Sequence, residues 1–292
     1  MDLYTRVREL LCERYKVIMP NCNFKKKYYL SVYNDNFFIS MSNVHISQYD
    51  EGDGNELDCK IYATHSSAAM AFNLFGNDQC EFIPNIFNNT NYFIKYEMKH
   101  DTLKKSKMPA NFDVVLTSPD KSEMLFFEIK MTEWLYKYPI CNNIVNAYFD
   151  DNRYYYPESF LTFCELFIKI NKILNDKNKH CRFDLTQMGR NLLALYNYMK
   201  NINIKPSSIN YINCVWTINN PLVLKEFAND YIEYYNIYQE EYRFFSKLLI
   251  PVFNLFEQLG INFKIECVTF NQLLNIMVND DKKINYLNRY II

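Results

Sequence analysis

Two apolar segments and the turn between them decide the fold of this chain: Asn-Phe-Asp-Val-Val-Leu-Thr (111–117), Ser-Pro-Asp-Lys (118–121) and Met-Leu-Phe-Phe-Glu-Ile-Lys (124–130). Both segments are short and rich in aromatic and branched aliphatic residues, which is typical of buried β-strands. A proline at the second position of the turn favours a tight reversal of the chain. The sequence therefore predicts a β-hairpin over 111–130.

Three charged residues interrupt this apolar hairpin. Asp113 lies within the first strand, and Glu128 and Lys130 lie near the end of the second. Side chains two residues apart in a strand point to the same face, so Glu128 and Lys130 project together. If the strands pair through the turn, Asp113 can lie opposite the far end of the second strand. Buried charges without partners are costly, so this cluster needs ion-pair partners or a metal.

The cluster has two chemical interpretations. The carboxylates of Asp113 and Glu128, with the main-chain carbonyl of Ile129, are hard oxygen ligands of the kind that Mg²⁺ prefers. Lys130 beside them can orient a water molecule or offset charge on a phosphate. The alternative is a structural hairpin in which Lys130 pairs with a neighbouring acid. Spacing alone leaves both open, because Glu-Met-Lys (97–99) repeats the pattern without an acid on a preceding strand.

Helical and strand patterns alternate around this hairpin. Apolar residues at helical spacing predict helices at 2–17, 66–75, 158–175, 184–201, 222–247, before Gly260 and at the end of the chain. Alternating patterns predict strands at 91–98, 209–217 and 262–269, and a second hairpin over 28–40 that turns at 34–36. The order of the elements indicates a mixed α/β fold. We interpret it as one domain over 1–292, with a core at about 49–217 and a C-terminal extension at about 218–292.

Composition narrows the class of protein. The 292 residues carry a formal net charge of −1 and are 49% hydrophobic, which excludes intrinsic disorder and a uniformly basic nucleic-acid coat. The 9 cysteines include no Cys-x-x-Cys pair and indicate reduced core thiols rather than a zinc site. No apolar stretch is long enough to span a membrane, so we expect a cytoplasmic protein. Glycine is scarce, 5 in all, so each one is expected where a side chain would not fit.

Four blocks of the sequence resemble one family. The hairpin block, Pro-Ala-Asn-Phe-Asp (109–113) with Phe-Glu-Ile-Lys-Met-Thr-Glu (127–133), resembles the PD-(D/E)XK nuclease superfamily, and within it a bacterial family of restriction-endonuclease-like proteins. The other blocks similar to that family are Glu-Gly-Asp-Gly-Asn-Glu-Leu (51–57), His-Ser-Ser-Ala-Ala-Met-Ala-Phe-Asn-Leu-Phe-Gly (65–76) and Leu-Thr-Gln-Met-Gly-Arg-Asn (185–191). They occur in the family's order. Two residues depart from its pattern: Phe112 stands in place of a proline, and Gly189 in place of a bulkier helix residue.

The resemblance implies a fold and an activity. The fold would be a restriction-endonuclease-like core, a mixed β-sheet flanked by helices in the order αβββαβ, with helical and strand additions at both termini. The activity would be Mg²⁺-dependent hydrolysis of phosphodiester bonds, with Mn²⁺ as an alternative ion, by a DNA endonuclease of the restriction or defence type. Asp113, Glu128 and Lys130 would be catalytic. Asp113, Glu128 and the Ile129 carbonyl would hold the ion.

Three more residues receive candidate catalytic roles from the resemblance, each with a structural alternative. Glu56 follows two glycines and would be a further acid aimed at the metal, unless it caps the next helix. Glu133 would assist the metal or pair with Lys130. Gln187 would bind the attacking water or the phosphate, unless it forms buried hydrogen bonds.

Basic residues near the hairpin are the candidate nucleic-acid contacts. The segment that enters the Asp113 strand carries four lysines and His100, and contact with phosphates competes with the interpretation of an ordinary solvated loop. The candidate contacts, which include one arginine on the same helix face as Gln187, are Lys99, Lys104, Lys105, Lys107 and Arg190. The expected partner is double-stranded DNA. The oligomeric state stays open, with a dimer among the options.

A second class of function stays open beside the nuclease. A chain with this fold could serve as a nucleic-acid or protein binding module without catalysis. Binding modules of this kind tend to lose one of the acids or the lysine, whereas Asp113, Glu128 and Lys130 are all present in this chain. The intact set favours an enzyme.

Overall fold

A six-stranded mixed β-sheet lies at the centre of the computed structural model, which describes residues 1–52, 57–106, 109–136 and 144–292. The strands are β1 Phe24–Lys26, β2 Tyr29–Leu30, β3 Gln79–Glu81, β4 Asn91–His100, β5 Ala110–Thr117, β6 Glu123–Lys130, β7 Ser208–Val215 and β8 Asn262–Thr269. The first two pair with each other, and the sheet contains β3 to β8 in sequence order. Pairing is antiparallel from β3 to β6 and parallel from β6 to β8.

Helices cover both faces of this sheet. They are α1 Leu3–Ile18, α2 Asn43–Asp50, α3 Ser67–Phe75, α4 Pro157–Asp176, α5 Leu185–Asn201, α6 Ala228–Leu248, α7 Ile250–Glu257, α8 Phe270–Ile276 and α9 Asp281–Leu287. The ring of Phe127 in β6 packs against Phe75 of α3, whereas the next residue, Glu128, contacts Asn191 of α5. Successive residues of a strand point to opposite faces, so α3 and α5 lie on opposite sides of the sheet.

Small residues allow α3 to pack closely against the sheet. Its N-cap is Ser66, whose hydroxyl accepts a hydrogen bond from the N–H of Ala69. Every residue from Ala68 to Phe75 is buried. The helix ends at Gly76, whose φ of +91° is a conformation that side chains disfavour. The serine–alanine block of the sequence is therefore a core helix.

The departure at Gly189 has a packing cause. A β-carbon at this position of α5 would lie 2.9 Å from Cε1 of Phe167 and 3.1 Å from Cδ1 of Ile170, both on α4. Any side chain here would force Phe167 or the helices themselves to shift. Glycine here allows α4 to support α5, and α5 in turn covers the Glu128 end of β6.

Most of the predicted elements are confirmed within a few residues, and the predicted α/β class is correct. The 28–40 hairpin is wrong: β1 and β2 form the reversal, and residues 33–36 form a 3₁₀ turn. The physical reason is Asn36, which is buried and donates hydrogen bonds to the carbonyls of Ile61 and Ala63. The predicted 222–247 helix is interrupted near its start: residues 221–227 form a 3₁₀ segment that contains a kink at Lys225, whose φ is +54°, and α6 begins at Ala228.

The N- and C-terminal regions both join the core. One cluster of buried residues includes Leu3 of α1 and Tyr290 near the end of the chain, so the predicted C-terminal extension packs with the rest. The assignment of 1–292 to one domain stays a prediction. Among the described residues, no helix has the length and apolar character needed to cross a membrane.

Candidate active site

The β5–β6 hairpin brings Asp113 to Glu128. Regular pairing of these strands runs from Thr117 opposite Met124 to Val114 opposite Phe127. At the next position, a side-chain contact replaces the main-chain pairing. Oδ2 of Asp113 accepts a hydrogen bond of 2.6 Å from the N–H of Ile129. The predicted pairing through the 118–121 turn is therefore confirmed, and Asp113 lies beside the Glu128 end of β6.

Glu128 is held by three side chains. It is 1% exposed. Its Oε1 lies 2.7 Å from Nζ of Lys130 and accepts a hydrogen bond of 2.8 Å from Nε2 of Gln187. Its Oε2 accepts a hydrogen bond of 3.1 Å from Nδ2 of Asn191. Both oxygens therefore have partners, as a buried carboxylate requires.

Lys130 is a fixed cation. Its Nζ donates to Oε1 of Gln187 at 2.8 Å as well as to Glu128, and its side chain is 22% exposed. Burial alone would lower the pKa of Lys130, but the carboxylates of Glu128 and Asp113 outweigh it and raise that pKa. Lys130 therefore carries its charge at neutral pH.

Negative charge accumulates around Asp113. Burial raises the pKa of this carboxyl well above its ordinary value, and the nearby carboxylates of Glu128 and Glu97 raise it further. Lys130 and the Ile129 N–H only partly offset this effect. Burial also raises the pKa of Glu128, against the opposing pull of Lys130. The cluster is short of positive charge, which is the electrostatic condition that favours a bound cation.

The second Glu-x-Lys pattern of the sequence lies next to the first. Tyr96 pairs with Val114 and Met98 with Phe112, so Glu97 of β4 lies opposite Asp113. Glu97 has a φ of +49°, and one of its carboxylate oxygens accepts a hydrogen bond from Nδ2 of Asn111. In the sequence, Glu97 lacks the acid on a preceding strand that Glu128 has. The acid that lies opposite Glu97 in the sheet, Asp113, follows it in the chain instead.

Helix α5 carries the second layer of the cluster. Its N-cap is Asp184, whose side chain accepts from the N–H of Gln187. Asn191 lies one turn after Gln187 and also donates to the hydroxyl of Tyr211 at 2.8 Å. The structure places Gln187 in partly buried hydrogen bonds with Lys130 and Glu128, and its binding of the water or the phosphate stays a prediction. Asn191 was missed, although its spacing from Gln187 puts both on one helix face.

The other candidate site residues lie at different places. Oε2 of Glu133 accepts a hydrogen bond of 2.6 Å from the Met131 N–H, so it holds the turn after β6. Arg190 is partly exposed on α5. The hydrogen bonds from this helix to Glu128 come from Gln187 and Asn191. Glu56 and Lys107 lie outside the described residues.

The predicted basic segment before β5 is wrong in one residue, His100, which is not charged. Lys104 and Lys105 are exposed, and Lys99 is partly buried on β4. His100, by contrast, stacks on Tyr198 of α5 with ring centroids 3.9 Å apart. Burial, with the nearby charge of Lys95, lowers the pKa of His100 to about 4. His100 is therefore a neutral packing residue and adds no positive charge to this segment.

A cavity of about 440 Å³ opens beside the cluster. Its lining includes Glu128, Lys130 and Gln187, together with the rings of Tyr4 and Tyr136. These two rings meet edge to face, with centroids 5.5 Å apart. The N-terminal helix α1, which lies outside the predicted core, therefore contributes a wall of the site.

The oxygen atoms around Asp113 and Glu128 are potential ligands of a divalent ion. Among the described residues, no group of three or more His, Cys, Asp or Glu side chains is arranged to hold a metal. Mg²⁺, however, commonly uses only one or two carboxylates and keeps several waters. Asp113 and Glu128 would supply these carboxylates. The N–H of Ile129 points to Asp113, and the carbonyl of the same residue extends to the same side of the strand. This oxygen-rich set fits Mg²⁺.

The fold and the cluster define a class: an α/β protein with two acids and a lysine where the paired strands of a central sheet separate. A family model described as restriction endonuclease associating with ARP matches residues 11–250. The chain belongs to this family of restriction-endonuclease-like proteins. No curated protein and no solved structure matches the chain.

Proposed function

We propose that this protein is a Mg²⁺-dependent nuclease of the PD-(D/E)XK type that hydrolyses phosphodiester bonds in DNA, with Mn²⁺ as an alternative ion. The family's name supports a nuclease with a restriction or defence role. The observation that carries the proposal is the contact between Lys130 and Glu128 at 2.7 Å, beside Asp113 on the adjacent strand. Three groups that hydrolysis requires thus meet at one end of one hairpin.

The acids and the ion have separate tasks. Asp113, Glu128 and the Ile129 carbonyl would hold the ion, as their oxygen chemistry requires. A bound Mg²⁺ lowers the pKa of a coordinated water and polarises a phosphoryl oxygen. Its charge would also offset the repulsion among the carboxylates around Asp113, which raises the pKa of that residue. Glu56 would add a further acid, a role that stays a prediction.

Lys130 acts as a cation in this proposal. The surrounding carboxylates raise its pKa, so it holds its proton at neutral pH and does not serve as a general base. Its ammonium group can donate a hydrogen bond to a water molecule or to a phosphate oxygen. Gln187 accepts from Lys130 and donates to Glu128, so it fixes the distance between the two. Gln187 and Asn191 are therefore positioning residues.

The charge distribution of the chain indicates where DNA would bind. The chain has a net charge of −1, so attraction to DNA must come from a local surface. The lysines before β5 and Arg190 on α5 are the candidates for phosphate contacts, with double-stranded DNA as the proposed partner. A cytoplasmic location remains an expectation that accompanies this proposal, and the oligomeric state stays open, with a dimer among the options.

Plasmid cleavage with Mg²⁺ tests the proposal. Asp113→Ala and Lys130→Ala should each abolish cleavage, because each removes a group that touches the ion, the water or the phosphate. The matched controls are Asp176→Ala and Lys172→Ala, both exposed on α4, which should cleave like the wild type. If either site variant keeps full activity while its circular dichroism matches the wild type, these residues are not the active site.

One observation supports the second candidate, a binding module. Both oxygens of Glu128 are already used by protein partners, Lys130, Gln187 and Asn191, so an ion would have to displace one of them. Calorimetry with Mn²⁺ or Ca²⁺ separates the two functions. Binding that Glu128→Gln abolishes supports the nuclease. DNA binding by a wild-type protein that takes up neither ion supports the module.

A further inference from the structure

We propose that a second cavity, at the C-terminal end of α5, binds a single unpaired nucleobase. The cavity has a volume of about 220 Å³ and lies where strand β4 ends. Its lining combines polar side chains with aromatic rings and includes His100, Asp101, Tyr155, Tyr156, Asn197 and Tyr198. The inference rests on the proposed nucleic-acid substrate and adds a contact with a base to the contacts with phosphates.

Asn197 supplies a hydrogen-bond acceptor that the protein leaves unused. The residue is 7% exposed, and its Nδ2 donates to the main-chain carbonyls of Asp101 and Thr102 at 3.1 and 2.8 Å. Because carbonyls only accept, these two bonds fix which side of the amide is the nitrogen. Its Oδ1 is buried and, among the described residues, has no hydrogen-bond partner. A buried amide oxygen normally has a partner, so this atom indicates a ligand that donates an N–H or O–H.

His100 adds a second unpaired polar atom to the wall of the same cavity. Its Nε2 is buried and has no hydrogen-bond partner in the described part of the chain, while its ring stacks on Tyr198. Burial lowers the pKa of His100 to about 4, so the ring is neutral at pH 7. A neutral imidazole nitrogen donates or accepts according to its tautomer. Both unpaired atoms therefore suit a heterocycle that carries donors and acceptors along its edge.

Aromatic rings form much of the cavity wall and favour a flat ligand. Three consecutive tyrosines precede α4. Tyr154 is buried in the core, whereas Tyr155 and Tyr156 line the cavity together with Tyr198. Tyrosine rings bind unpaired bases by stacking, with little dependence on the identity of the base. Drug-sized ligands occupy pockets of about 300–1,000 Å³, so this smaller cavity suits one base.

Positive charge lies beside the cavity rather than within it. The lining, all of it in described residues, contains no lysine or arginine, so a phosphate would find no cation there. Lys104 and Lys105, which follow in the next few residues, are exposed. The N–H of Lys104 donates to the carbonyl of Arg153 at 2.8 Å, which brings a third cation to this surface. A nucleotide strand has this division, since its bases and its phosphates need different partners.

The cavity lies within reach of a strand bound at the candidate active site. His100 pairs with Ala110, three residues before Asp113 on β5. At about 3.4 Å per residue, this separation is about 10 Å. Successive nucleotides of a DNA strand are also about 3.4 Å apart, so the cavity is about three nucleotides from a phosphate at Asp113. Removing a base from the stack costs least when the base is already unpaired, so we expect a preference for such substrates.

DNA binding by the full chain in the presence of a chelator tests the inference. Fluorescence anisotropy compares a labelled duplex that carries one unpaired adenine with the fully paired duplex. The wild type should bind the first at least about fivefold more tightly, the effect of stacking one base on an aromatic ring. Tyr155→Ala should lose this preference, and Tyr155→Phe, which keeps the ring, should retain it. The control Phe244→Ala, at a half-exposed ring on α6, should bind like the wild type.

His100→Phe provides a second test that does not depend on Tyr155. The phenyl ring keeps the stack on Tyr198 and, like the neutral imidazole, carries no charge, but it removes the Nε2 atom. The preference for the unpaired adenine should fall by about twofold or more, as for loss of one hydrogen bond. Circular dichroism that matches the wild type would confirm that the fold is intact.

Free adenosine, titrated by calorimetry, distinguishes the two sources of a base. Adenosine binding that Tyr155→Ala abolishes, without a preference between the duplexes, supports the base site but assigns it to a free nucleoside. A preference that Tyr155→Ala keeps overturns the inference. So does a wild type that binds both duplexes equally and no adenosine. Plasmid cleavage is measured separately, so the nuclease proposal stands in either case. Conversely, a preference that Tyr155→Ala removes, in a protein that Asp113→Ala leaves fully active, supports the cavity and overturns the active site. A wild type that binds neither DNA nor adenosine overturns both proposals.

Discussion

Strand β6 has a buried glutamate at each end, Glu123 at its start and Glu128 near its finish, and each is 1% exposed. Glu123 accepts hydrogen bonds from three neutral donors: the Tyr92 hydroxyl at 2.5 Å, the Asn89 N–H at 3.1 Å and the Asn210 amide at 3.3 Å. These donors join the turn before β4, β4 itself and β7. The Glu123 end is therefore a structural junction.

The Glu128 end differs in the charges around the carboxylate. Here one partner is the ammonium of Lys130, and two further acids, Asp113 and Glu97, lie along the same row of the sheet. A cavity opens at this end of the strand. Two glutamates of one strand are thus equally buried but have different roles. A buried acid among neutral donors holds the fold, whereas a buried acid with a lysine and more acids forms a candidate active site.

The largest expected difference between the two ends lies in activity. Glu128→Gln should lower Mg²⁺-dependent cleavage by at least about 100-fold, since it removes a charge that acts on the reacting groups. Glu123→Gln should leave cleavage near the wild-type rate but reduce stability by about 1–3 kcal/mol. Its new amide N–H₂ replaces one carboxylate oxygen, so it faces either the Asn210 amide or the Tyr92 hydroxyl and the Asn89 N–H, all of which are donors. Cleavage rates and urea unfolding curves measure both effects. Equal loss of activity in the two variants would contradict the assignment of activity to the Glu128 end alone.

An intermediate difference is expected between the asparagines that serve each glutamate. Asn191 donates to Glu128 at 3.1 Å and to the Tyr211 hydroxyl at 2.8 Å, whereas Asn210 donates to Glu123 at 3.3 Å. Asn191→Ala should therefore cost about 1–3 kcal/mol and Asn210→Ala about 1 kcal/mol or less. Urea denaturation measures the two free energies. A larger loss at Asn210 would show that the Glu123 end is the more tightly coupled one.

The smallest expected effect is a pH dependence of stability at the Glu128 end. The raised pKa of Asp113 means that its ionisation costs stability as pH rises through the folded-state pKa, whereas at low pH the protonated form carries no such cost. Without metal, Asp113→Asn should melt a few degrees above the wild type near neutral pH, with the gap closing in acid. Thermal melts across pH in a chelator test this. A gap that widens in acid would contradict the assigned sign.

Local pairing explains why part of the site could be predicted. Asp113, Glu128 and Lys130 belong to one hairpin with a short turn, so strand periodicity and the turn together bring them close. Glu97 is separated from Asp113 by the segment before β5, and no pattern in the sequence gives the register of these two strands. The sequence accordingly presented Glu97 as a competing pattern, while the sheet makes it a neighbour.

The error at 28–40 has a related cause. Alternating residues around a polar triplet are typical of a hairpin, but Asn36 turns inward to the carbonyls of Ile61 and Ala63. Those carbonyls lie far along the chain, so local pattern could not reveal them. Gly189 is the opposite case: its departure from the expected helix residue indicates close packing, and the lack of room for a β-carbon beside Phe167 and Ile170 bears this out.

The sequence by itself determined the α/β class, most helices and strands, and the Asp113, Glu128 and Lys130 group, because periodicity and short turns act over a few residues. The tertiary structure alone decided that Glu97 lies opposite Asp113, that Gln187 and Asn191 hold Glu128, and that Tyr4 lines the cavity. These contacts join residues that are distant in sequence. Their geometry depends on strand register and helix packing, which arise only when the whole core assembles.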